Sequence, residues 1–350
     1  MNTKLVNIDT RDLSVAENDL MLAADIIKSG GLVVFPTETV YGLGANGLDA
    51  DAAARIYSAK GRPSDNPLII HISKPEDAES YTYTNDIYYR LAERFMPGPL
   101  TVVMRARDCV PTATRAGLPT VAVRCPENKI ARRLIELSGV PIAAPSANLS
   151  GSPSPTNARH VADDMLGRVD MIIDGGDCEF GLESTIVKIE DNDTLTLLRP
   201  GKITPDELSD IAPVKLAGAV TDKLGEGEIV LSPGMKYRHY APSAPLVLLD
   251  GDSESSADYI SGDTNGSVAV ICYDEDESFY KGALPAADIY PFGEKDNTEA
   301  QAHSLFALLR DIDKKNYGRI YAPLPDKTGV GLALYNRMIR AAAHTIIKTK

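Results

Sequence analysis

Apolar and polar residues follow one another in a way that predicts helices and strands in turn. Near the N-terminus, apolar positions at residues 20–27 recur at helical spacing and predict a helix. We expect this helix to begin at a capping box of Ser14 and Glu17 and to stop at glycines 30–31. The apolar run at residues 32–36 predicts a strand directly after the helix.

The same patterns predict an α/β domain over the rest of the first 200 or so residues. An alanine-rich helix should open at Asp49 or Asp51 and end near Ala59. Further helices are predicted at residues 86–95, 128–138 and 157–166. Predicted strands lie at residues 68–72, 100–106, 120–126, 141–146, 169–176, 184–190 and 196–201. Because several strands follow one another near the end, we expect a twisted mixed sheet with flanking helices.

After residue 205 the pattern loosens, and from about residue 245 strands and helices alternate again. Strands are predicted at residues 244–250, 267–274, 287–292 and 319–325, with helices near 253–261, 297–311 and 329–348. Strands separated by helices indicate a small parallel sheet of Rossmann-like type. The predicted organisation is therefore an α/β domain at 1–204, a linker at 205–244 and a smaller Rossmann-like domain at 245–350.

Composition supports two soluble domains without narrowing the function. A chain of 350 residues exceeds what one core usually serves, and its 43% apolar and 24% charged residues are ordinary for globular proteins. No apolar run approaches the roughly 20 residues that cross a bilayer, and the N-terminus lacks an apolar signal region. We therefore expect a cytoplasmic protein. The four cysteines are far apart and form no CxxC pair, so neither a zinc site nor a disulfide framework is indicated.

Charge is distributed unevenly along the chain. The net charge of -13 argues against a protein that coats nucleic acid or an anionic membrane through its overall field. Residues 55–133 nevertheless hold 13 Lys and Arg against 8 Asp and Glu. A basic region within an acidic protein suits a small anionic ligand.

Two cations open the segment KGRPSDNPLIIH at residues 60–71. Lys60 and Arg62 come just after the alanine-rich helix, at its connection to the next predicted strand. Cations beside an ordered turn suit a phosphate group, although a solvated loop explains the same pattern. His71 ends the segment, and a lone histidine at a strand end is more often a core residue than a ligand contact.

Other polar segments also follow predicted strands. FPTETVYGLG (35–44) places Thr37, Glu38, Thr39 and Tyr41 where α/β proteins bind ligands, and a plain turn is an equally good interpretation of it alone. APSANLSGSPSPT (144–156) is rich in hydroxyl groups and small residues, which let a ligand approach the backbone, and its alternative interpretation is a flexible linker. GLESTIV (181–187) and LRPG (198–201) add a similar hydroxyl pair and a strand-end arginine.

The predicted linker contains SPGMKYRHYAP at residues 232–242. This segment is either a hinge with a proline at each end or a lid that closes over a ligand site. The predicted second domain has no GxGxxG at a strand-to-helix turn, and no Walker A sequence occurs in the chain. These absences give a nucleotide site in the second domain little support.

Taken together, the motifs resemble those of the YrdC-type L-threonylcarbamoyladenylate synthases in their long, two-domain form. The motifs in question are FPTETVYGLG, KGRPSDNPL with His71, TVAVRCP, APSANLSGSPSPT, ESTIV, LRPG and SPGMKYRHYAP, in the family's order. The resemblance covers nearly the whole chain. Any one of these motifs alone is weakly specific, whereas the ordered set is highly specific.

The resemblance implies an enzyme that condenses L-threonine, bicarbonate or CO2, and ATP into L-threonylcarbamoyladenylate and releases pyrophosphate. The product would pass to the tRNA threonylcarbamoyl-transferase machinery, as the first step of N6-threonylcarbamoyladenosine formation at position 37 of tRNAs reading ANN codons. The family also implies Mg2+ held mainly by the ATP phosphates, with no metal site of the protein's own.

The resemblance implies the site residues as well. Lys60 and Arg62 would be catalytic at the surface of a cleft, since fixed cations stabilise charge that develops on the α-phosphate. Implied ATP contacts are Lys60, Arg62, Asn66, Thr120, Ser146, Ser154, Arg199 and, from the linker as a lid, Tyr237, His239 and Tyr240. Implied L-threonine contacts are Thr39, His71, Arg124, Ala144 and Ser184, with Arg124 as the clamp for the carboxylate.

Two rival functions fit parts of the sequence. An RNA-binding module could use the basic region at 55–133 as a concave surface, which would make RNA a weak further partner. The acidic total and the lack of RNP aromatics or a KH-type GXXG loop count against it. The carbamoyl-transfer machinery of hydrogenase maturation contains a related domain, but its cysteine-rich zinc segments are lacking here.

Overall fold

The computed structural model describes residues 2–222, 240–263 and 266–349. These residues form two compact units, which are described separately. The first unit contains residues 2–150 and 154–222, and the second contains 151–153 with the described residues from 240 onward. No helix in these described ranges is both long and apolar enough to span a membrane.

A single mixed sheet organises the first unit. Its strands are β1 (Lys4–Asn7), β2 (Val33–Phe35), β3 (Gly42–Asn46), β4 (Ile69–His71), β5 (Leu100–Arg105), β6 (Thr120–Arg124), β7 (Ile142–Ala143), β8 (Met171–Asp174), β9 (Thr185–Ile189), β10 (Leu195–Arg199) and β11 (Val214–Leu216). Their order across the sheet is β1-β8-β2-β3-β7-β4-β6-β5-β9-β10-β11. Pairs such as β4 with β6 are parallel, and pairs such as β5 with β6 are antiparallel. The predicted mixed sheet is confirmed.

Helices connect these strands and cover the core. They are α1 (Glu17–Lys28), α2 (Ala50–Lys60), α3 (Asp86–Phe95), α4 (Lys129–Ser138), α5 (Ala158–Met165) and α6 (Pro205–Ser209). The buried faces of α1 and α4 share one core with the sheet, in which Leu20, Ile27, Phe35, Leu134 and Ile173 are each fully buried. Burying these side chains supplies much of the free energy that holds the helices on the sheet.

The start of α1 differs from its prediction. The prediction of a capping box formed by Ser14 and Glu17 is wrong. The Ser14 hydroxyl donates a hydrogen bond to Asp12, and Ala16 occupies the N-cap position. A local turn therefore takes the hydroxyl that a cap would use. The start of α2 is as predicted from its first alternative, since the Asp49 side chain accepts hydrogen bonds from the backbone of Asp51 and Ala52.

Three strands of the first sheet were not predicted from the pattern, and one of them is β1 at the N-terminus. The last three residues of the FPTETVYGLG segment, 42–44, belong to β3, which pairs antiparallel with β2, so the segment is not only a turn. Residues 205–216, assigned to the start of the linker, form α6 and β11, and β11 pairs in parallel with β10. The first unit therefore extends beyond the last strand that the sequence predicted for it.

The second unit is built on a parallel sheet, as predicted. Its strands are β12 (Leu246–Asp250), β13 (Val268–Cys272), β14 (Asp288–Pro291), β15 (Arg319–Pro323) and β16 (Ile346–Lys348), in the order β14-β13-β15-β12-β16. Its helices are α7 (Ser253–Ser261), α8 (Glu277–Ala283), α9 (Thr298–Asp313) and α10 (Gly331–Ala341). The predicted final helix at 329–348 is too long, since α10 ends at Ala341 and β16 follows it.

All four cysteines are free thiols, in keeping with the absence of a CxxC pair. Cys125, Cys178 and Cys272 are buried, whereas Cys109 is exposed. Burial raises the pKa of Cys125 and of Cys272 to about 12, and it also raises the pKa of Cys178. The three buried thiols are therefore protonated near neutral pH.

Candidate active site

Three neighbouring strands of the first sheet place polar side chains at one level. His71 on β4 and Thr101 on β5 are the register partners of Arg124 on β6, which lies between them. All three residues are buried. Because the register is set by the pairing of apolar strands on either side, these polar groups occupy fixed positions in an otherwise apolar sheet.

The guanidinium of Arg124 is held by the segment that follows β2. Its Nη2 donates to Oε1 of Glu38 at 2.8 Å and to Oγ1 of Thr39 at 2.9 Å. The side chains of Arg124 and Glu38 are only 5% and 6% exposed, so this is a buried ion pair. A buried pair of this kind is costly to desolvate and fixes both side chains in one geometry.

Arg124 also has a donor without a partner. Its Nε is buried and makes no hydrogen bond to the described residues. An unsatisfied buried donor costs free energy, and a charged one costs more. The arrangement therefore suits an anionic ligand, and a carboxylate matches the planar donors of an arginine.

His71 lies beside Arg124 as a neutral imidazole. Burial lowers the pKa of His71 to about 3, and the positive charge of Arg124 adds to the effect. Its Nδ1 lies 3.3 Å from the carbonyl oxygen of Ile142, and its ring packs nearly perpendicular to that of Phe35, with 6.2 Å between the ring centroids. A neutral imidazole can serve as a hydrogen-bonding group there without adding charge to the site.

Ser184, just before β9, completes this part of the site. Its hydroxyl lies 2.8 Å from that of Thr101, and Nη2 of Arg199 donates to it at 3.1 Å. Arg199 Nε also donates to the backbone oxygen of Ser184. Gly201 permits this close approach, because a Cβ there would lie 2.4 Å from the backbone nitrogen of Thr185.

The residues predicted to contact threonine are thus brought together on the first sheet. Thr39 bonds Arg124 directly, and His71 is the register partner of Arg124. Ser184 reaches Thr101, the other register partner of Arg124. The backbone nitrogen of Ala144 donates to Ile69 on β4, two residues from His71.

Lys60 is buried, with 3% of its surface exposed, so the prediction that it lies at a cleft surface is wrong. Its ammonium donates to the backbone oxygens of Ser146 and Asn148 and to Oδ1 of Asn148 at 3.3 Å. The Ser146 hydroxyl donates to the same Asn148 side chain at 2.5 Å. Lys60 therefore anchors the hydroxyl-rich segment after β7 to the end of α2.

Arg62 and Asn66 shape the loop between α2 and β4. Arg62 is half-buried, and its Nη2 donates to the backbone oxygens of Asn66 and Pro67 at 3.1 and 3.2 Å. The Asn66 side chain is fully buried, yet its amide nitrogen and oxygen have no hydrogen-bond partner among the described residues. Such an amide is suited to a ligand that offers both a donor and an acceptor.

The remaining predicted ATP contacts in the first unit are Ser154 and Thr120. Ser154 is buried and donates to the carboxylate of Glu183, next to Ser184. Thr120 begins β6, four residues before Arg124, so it lies about 13 Å along the strand from the Arg124 position.

Of the three ATP contacts predicted in the linker, Tyr237 and His239 lie outside the described residues. Tyr240 belongs to the second unit, where its ring is buried, stacks on Phe306 at 5.0 Å and lies 5.7 Å from the guanidinium carbon of Arg337. Its role as an ATP contact stays a prediction.

Three polar residues of the site were not assigned a substrate contact from the sequence. Glu38, Asn148 and Glu183 each lie within a motif that the sequence singles out, and each bonds a predicted site residue. Their signal is weak in the sequence because a carboxylate or amide in a polar loop is ordinarily solvated. Burial reveals them, since each is no more than 6% exposed.

Metal ligands are scarce in this region. Among residues 2–222, 240–263 and 266–349, no group of three or more His, Cys, Asp or Glu side chains could hold a metal ion.

Comparison with known protein families covers both units. Residues 25–201 match the Sua5/YciO/YrdC family, whose model is described as telomere recombination. Residues 203–343 match the family described as the C-terminal domain of threonylcarbamoyl-AMP synthase.

Full-length relatives agree with these matches. The chain is 42% identical to a threonylcarbamoyl-AMP synthase of Pyrococcus abyssi, with 99% of each chain covered. It is also 42% identical to one of Bacillus subtilis, covering 99% of this chain and 100% of that protein. The solved structure of P. abyssi Sua5 complexed with L-threonine is 40% identical and superposes with a TM-score of 0.88 over 99% of both chains. The order of motifs, the two units and these matches together show that the chain belongs to the threonylcarbamoyl-AMP synthase family.

Proposed function

We propose that this protein condenses L-threonine, bicarbonate or CO2, and ATP into L-threonylcarbamoyladenylate and pyrophosphate. The observation that carries the proposal is the buried guanidinium of Arg124, whose Nε has no partner among the described residues. The family relationship and the P. abyssi complex with L-threonine support the same assignment.

Arg124 binds the threonine carboxylate in this proposal. Its Nε is a buried donor without a partner among the described residues, and burial excludes the water that would compete for it. The hydroxyl groups of Thr39 and Ser184 and the neutral imidazole of His71 surround the amino acid. The backbone at Ala144 closes the same side of the site.

ATP binds toward the loop after α2 and the hydroxyl-rich segment after β7. Arg62 offers a guanidinium to the phosphates, and the unsatisfied amide of Asn66 offers a donor and an acceptor to the nucleotide. Ser146, Ser154, Thr120 and Arg199 provide further hydrogen-bonding groups. Lys60 acts mainly by holding the segment at 146–148 in place and by its positive charge.

Positioning and charge account for the chemistry. The threonine ammonium releases one proton to water, and the lone pair of the free amine attacks the carbon of CO2. A second proton passes from the nitrogen to water as the carbamate forms. A carbamate oxygen then attacks the α-phosphorus of ATP, and pyrophosphate leaves with the electron pair of the broken bond. Fixed cations, here Lys60 and Arg62, stabilise the charge that develops on the phosphate, and oriented substrates lower the entropic barrier.

Mg2+ bound mainly to the ATP phosphates would neutralise part of their charge. No residue of this chain is assigned as its ligand. The linker at 232–242 would act as a lid that keeps water from the adenylate. The product would serve the first step of N6-threonylcarbamoyladenosine formation at adenosine 37 of tRNAs reading ANN codons, by passing to the transferase machinery.

Incubation of the purified protein with ATP, Mg2+, bicarbonate and isotopically labelled threonine tests the proposal. Mass spectrometry should detect a threonylcarbamoyl adenylate, together with an equal amount of pyrophosphate. Product should be lost when bicarbonate and dissolved CO2 are removed, and the Arg124→Gln protein should make far less of it. A folded wild-type protein that yields no labelled adenylate contradicts the proposal.

A further inference from the structure

Glu38 is a buried carboxylate whose two side-chain oxygens and backbone oxygen all accept hydrogen bonds. Its side chain is 6% exposed, and both carboxylate oxygens have partners. Oε1 accepts from Nη2 of Arg124 at 2.8 Å, and Oε2 accepts from the backbone nitrogen of Glu127 at 3.2 Å. The Glu38 backbone oxygen accepts from the nitrogen of Phe180 at 2.9 Å. Glu38 is therefore anchored at both its side chain and its backbone.

This anchoring determines how the guanidinium of Arg124 is oriented. Nη2 has two protons, and the acceptors of Glu38 and Thr39 use both. The Nε proton, buried and without a partner among the described residues, then remains for a ligand alongside the two protons of Nη1. Because the guanidinium is planar, fixing Nη2 from two sides also fixes the direction of the Nε–H bond.

We propose that Glu38 is a positioning residue for recognition of the substrate carboxylate, acting through Arg124. This inference rests on the proposed function of Arg124. The length of the Glu38 side chain matters more than its charge, because the negative charge by itself opposes binding of a second carboxylate nearby. Affinity for threonine increases because the guanidinium of Arg124 already has the required orientation before the amino acid binds.

Two substitutions separate reach from charge. Glu38→Asp keeps the carboxylate but withdraws it by one methylene, so that it no longer reaches Nη2 of Arg124. Glu38→Gln removes the charge but keeps an oxygen that accepts from Nη2, and it loses only the bond to the backbone of Glu127. A role in positioning therefore predicts that the aspartate variant is the more damaged of the two.

Calorimetric titration of L-threonine into the full-length protein measures this without requiring catalysis. We expect Glu38→Asp to weaken threonine binding about tenfold or more, and Glu38→Gln to change it less than about threefold. In steady-state assays, KM for threonine should rise in Glu38→Asp while KM for ATP and kcat at saturating threonine stay close to wild type. Glu17→Gln is the matched control, because it removes the carboxylate from the partly exposed ion pair with Arg133. It should change neither the affinity for threonine nor the KM for threonine.

Threonine binding by Glu38→Asp at the wild-type level, or equal losses in both Glu38 variants, overturns the positioning role. Tighter binding by Glu38→Gln also overturns it, because charge then outweighs orientation. If the wild-type protein does not bind threonine at all, the proposed function itself fails, and the inference fails with it.

A second measurement applies if Glu38→Asp does not fold. Threoninamide lacks the carboxylate of threonine. The ratio of the threonine affinity to the threoninamide affinity therefore measures how strongly the oriented guanidinium of Arg124 recognises that carboxylate. Glu38→Gln should keep at least a third of the wild-type ratio. A ratio close to one in that variant, with the wild type still discriminating, overturns the inference.

Discussion

Arg199 and Ser184 are joined by two hydrogen bonds, from Nε to the serine carbonyl oxygen at 3.0 Å and from Nη2 to its hydroxyl at 3.1 Å. The first residue is a proposed contact for ATP and the second a proposed contact for threonine. Both are buried, with 6% and 0% of their surfaces exposed. The two substrates are therefore expected to meet where β9 and β10 pair, and a change at Arg199 should affect both.

Arg199→Lys tests this coupling. Lysine keeps the charge but cannot make the two directed bonds to Ser184, so we expect kcat/KM for ATP and for threonine both to fall about tenfold or more. Steady-state kinetics with each substrate varied in turn measures the effect. Arg94→Lys, at the exposed pair with Asp210, is the control and should leave both values unchanged. A loss confined to one substrate contradicts the coupling.

Lys60 and Arg62 should differ in what they contribute. Lys60→Ala leaves buried oxygens of Ser146 and Asn148 without their donor, so the free energy of unfolding should fall by about 1–3 kcal/mol. Arg62→Ala should cost less stability, because Arg62 is half-buried. Both variants should lower product formation about a hundredfold or more.

Urea unfolding curves and product assays on the two variants separate these effects. The Lys60 variant is expected to lose both stability and activity, and the Arg62 variant mainly activity. Equal stability of the Lys60 variant and the wild type contradicts its role in holding the segment at 146–148.

His71 makes stability depend on pH. The unfolded chain takes up a proton near the ordinary histidine pKa of 6.5, whereas folded His71 does so only at about 3. The unfolded state therefore binds more protons between these values, and stability falls as pH decreases below 6.5. This group contributes up to about 1.4 kcal/mol per pH unit. Its contribution is fully present above pH 6.5.

The His71→Gln protein provides the comparison, since glutamine does not titrate. Urea unfolding at pH 7 and near pH 5.5 should show that the wild type loses roughly 1 kcal/mol more than the variant does. Identical losses in the two proteins mean that His71 does not titrate as its burial indicates.

Substrate choice should follow from the small polar surroundings of Arg124. Serine lacks the methyl group of threonine, so its transition state should be stabilised less, by about 1–3 kcal/mol, and its kcat/KM should be correspondingly lower. Valine replaces the hydroxyl by a methyl group and leaves the hydroxyl partners unsatisfied, so it should be poorer still. Competition assays among the three amino acids measure the order, and equal turnover removes the pocket from the proposal.

Removal of residues 232–350 tests the lid. The sheet of the first unit ends with β11 (Val214–Leu216), so the shortened protein should fold and bind ATP. It should make little adenylate, or lose it to water, because the linker is absent. A chain that ends after Pro242 should recover part of the activity if the linker alone is the lid. Full activity in the shorter protein leaves the segment at 232–242 as a hinge.

Elements with strong local signals could be predicted from the sequence. The helix at α3 (Asp86–Phe95) has its predicted bounds because its apolar face is regular and Asn85 caps it. β11 (Val214–Leu216) could not be predicted, since three residues with an exposed face carry little pattern and depend on pairing with β10.

The site shows the same limit. The motifs identify Arg124 and Asn66, but partners distant in sequence determine their burial. Glu38 lies 86 positions from Arg124, and nothing local in either segment records that they meet. Lys60 was expected at a surface because lysine is seldom buried, and three oxygens from residues 146–148 override that preference.

The distribution of the cysteines has a practical consequence for experiments on this protein. With three thiols enclosed in cores and their protons firmly held, Cys109 is the natural attachment point for a thiol-directed fluorophore or spin probe. The first unit can thus carry a spectroscopic reporter without any engineered residue. Probes elsewhere would require only one introduced cysteine and the replacement of Cys109.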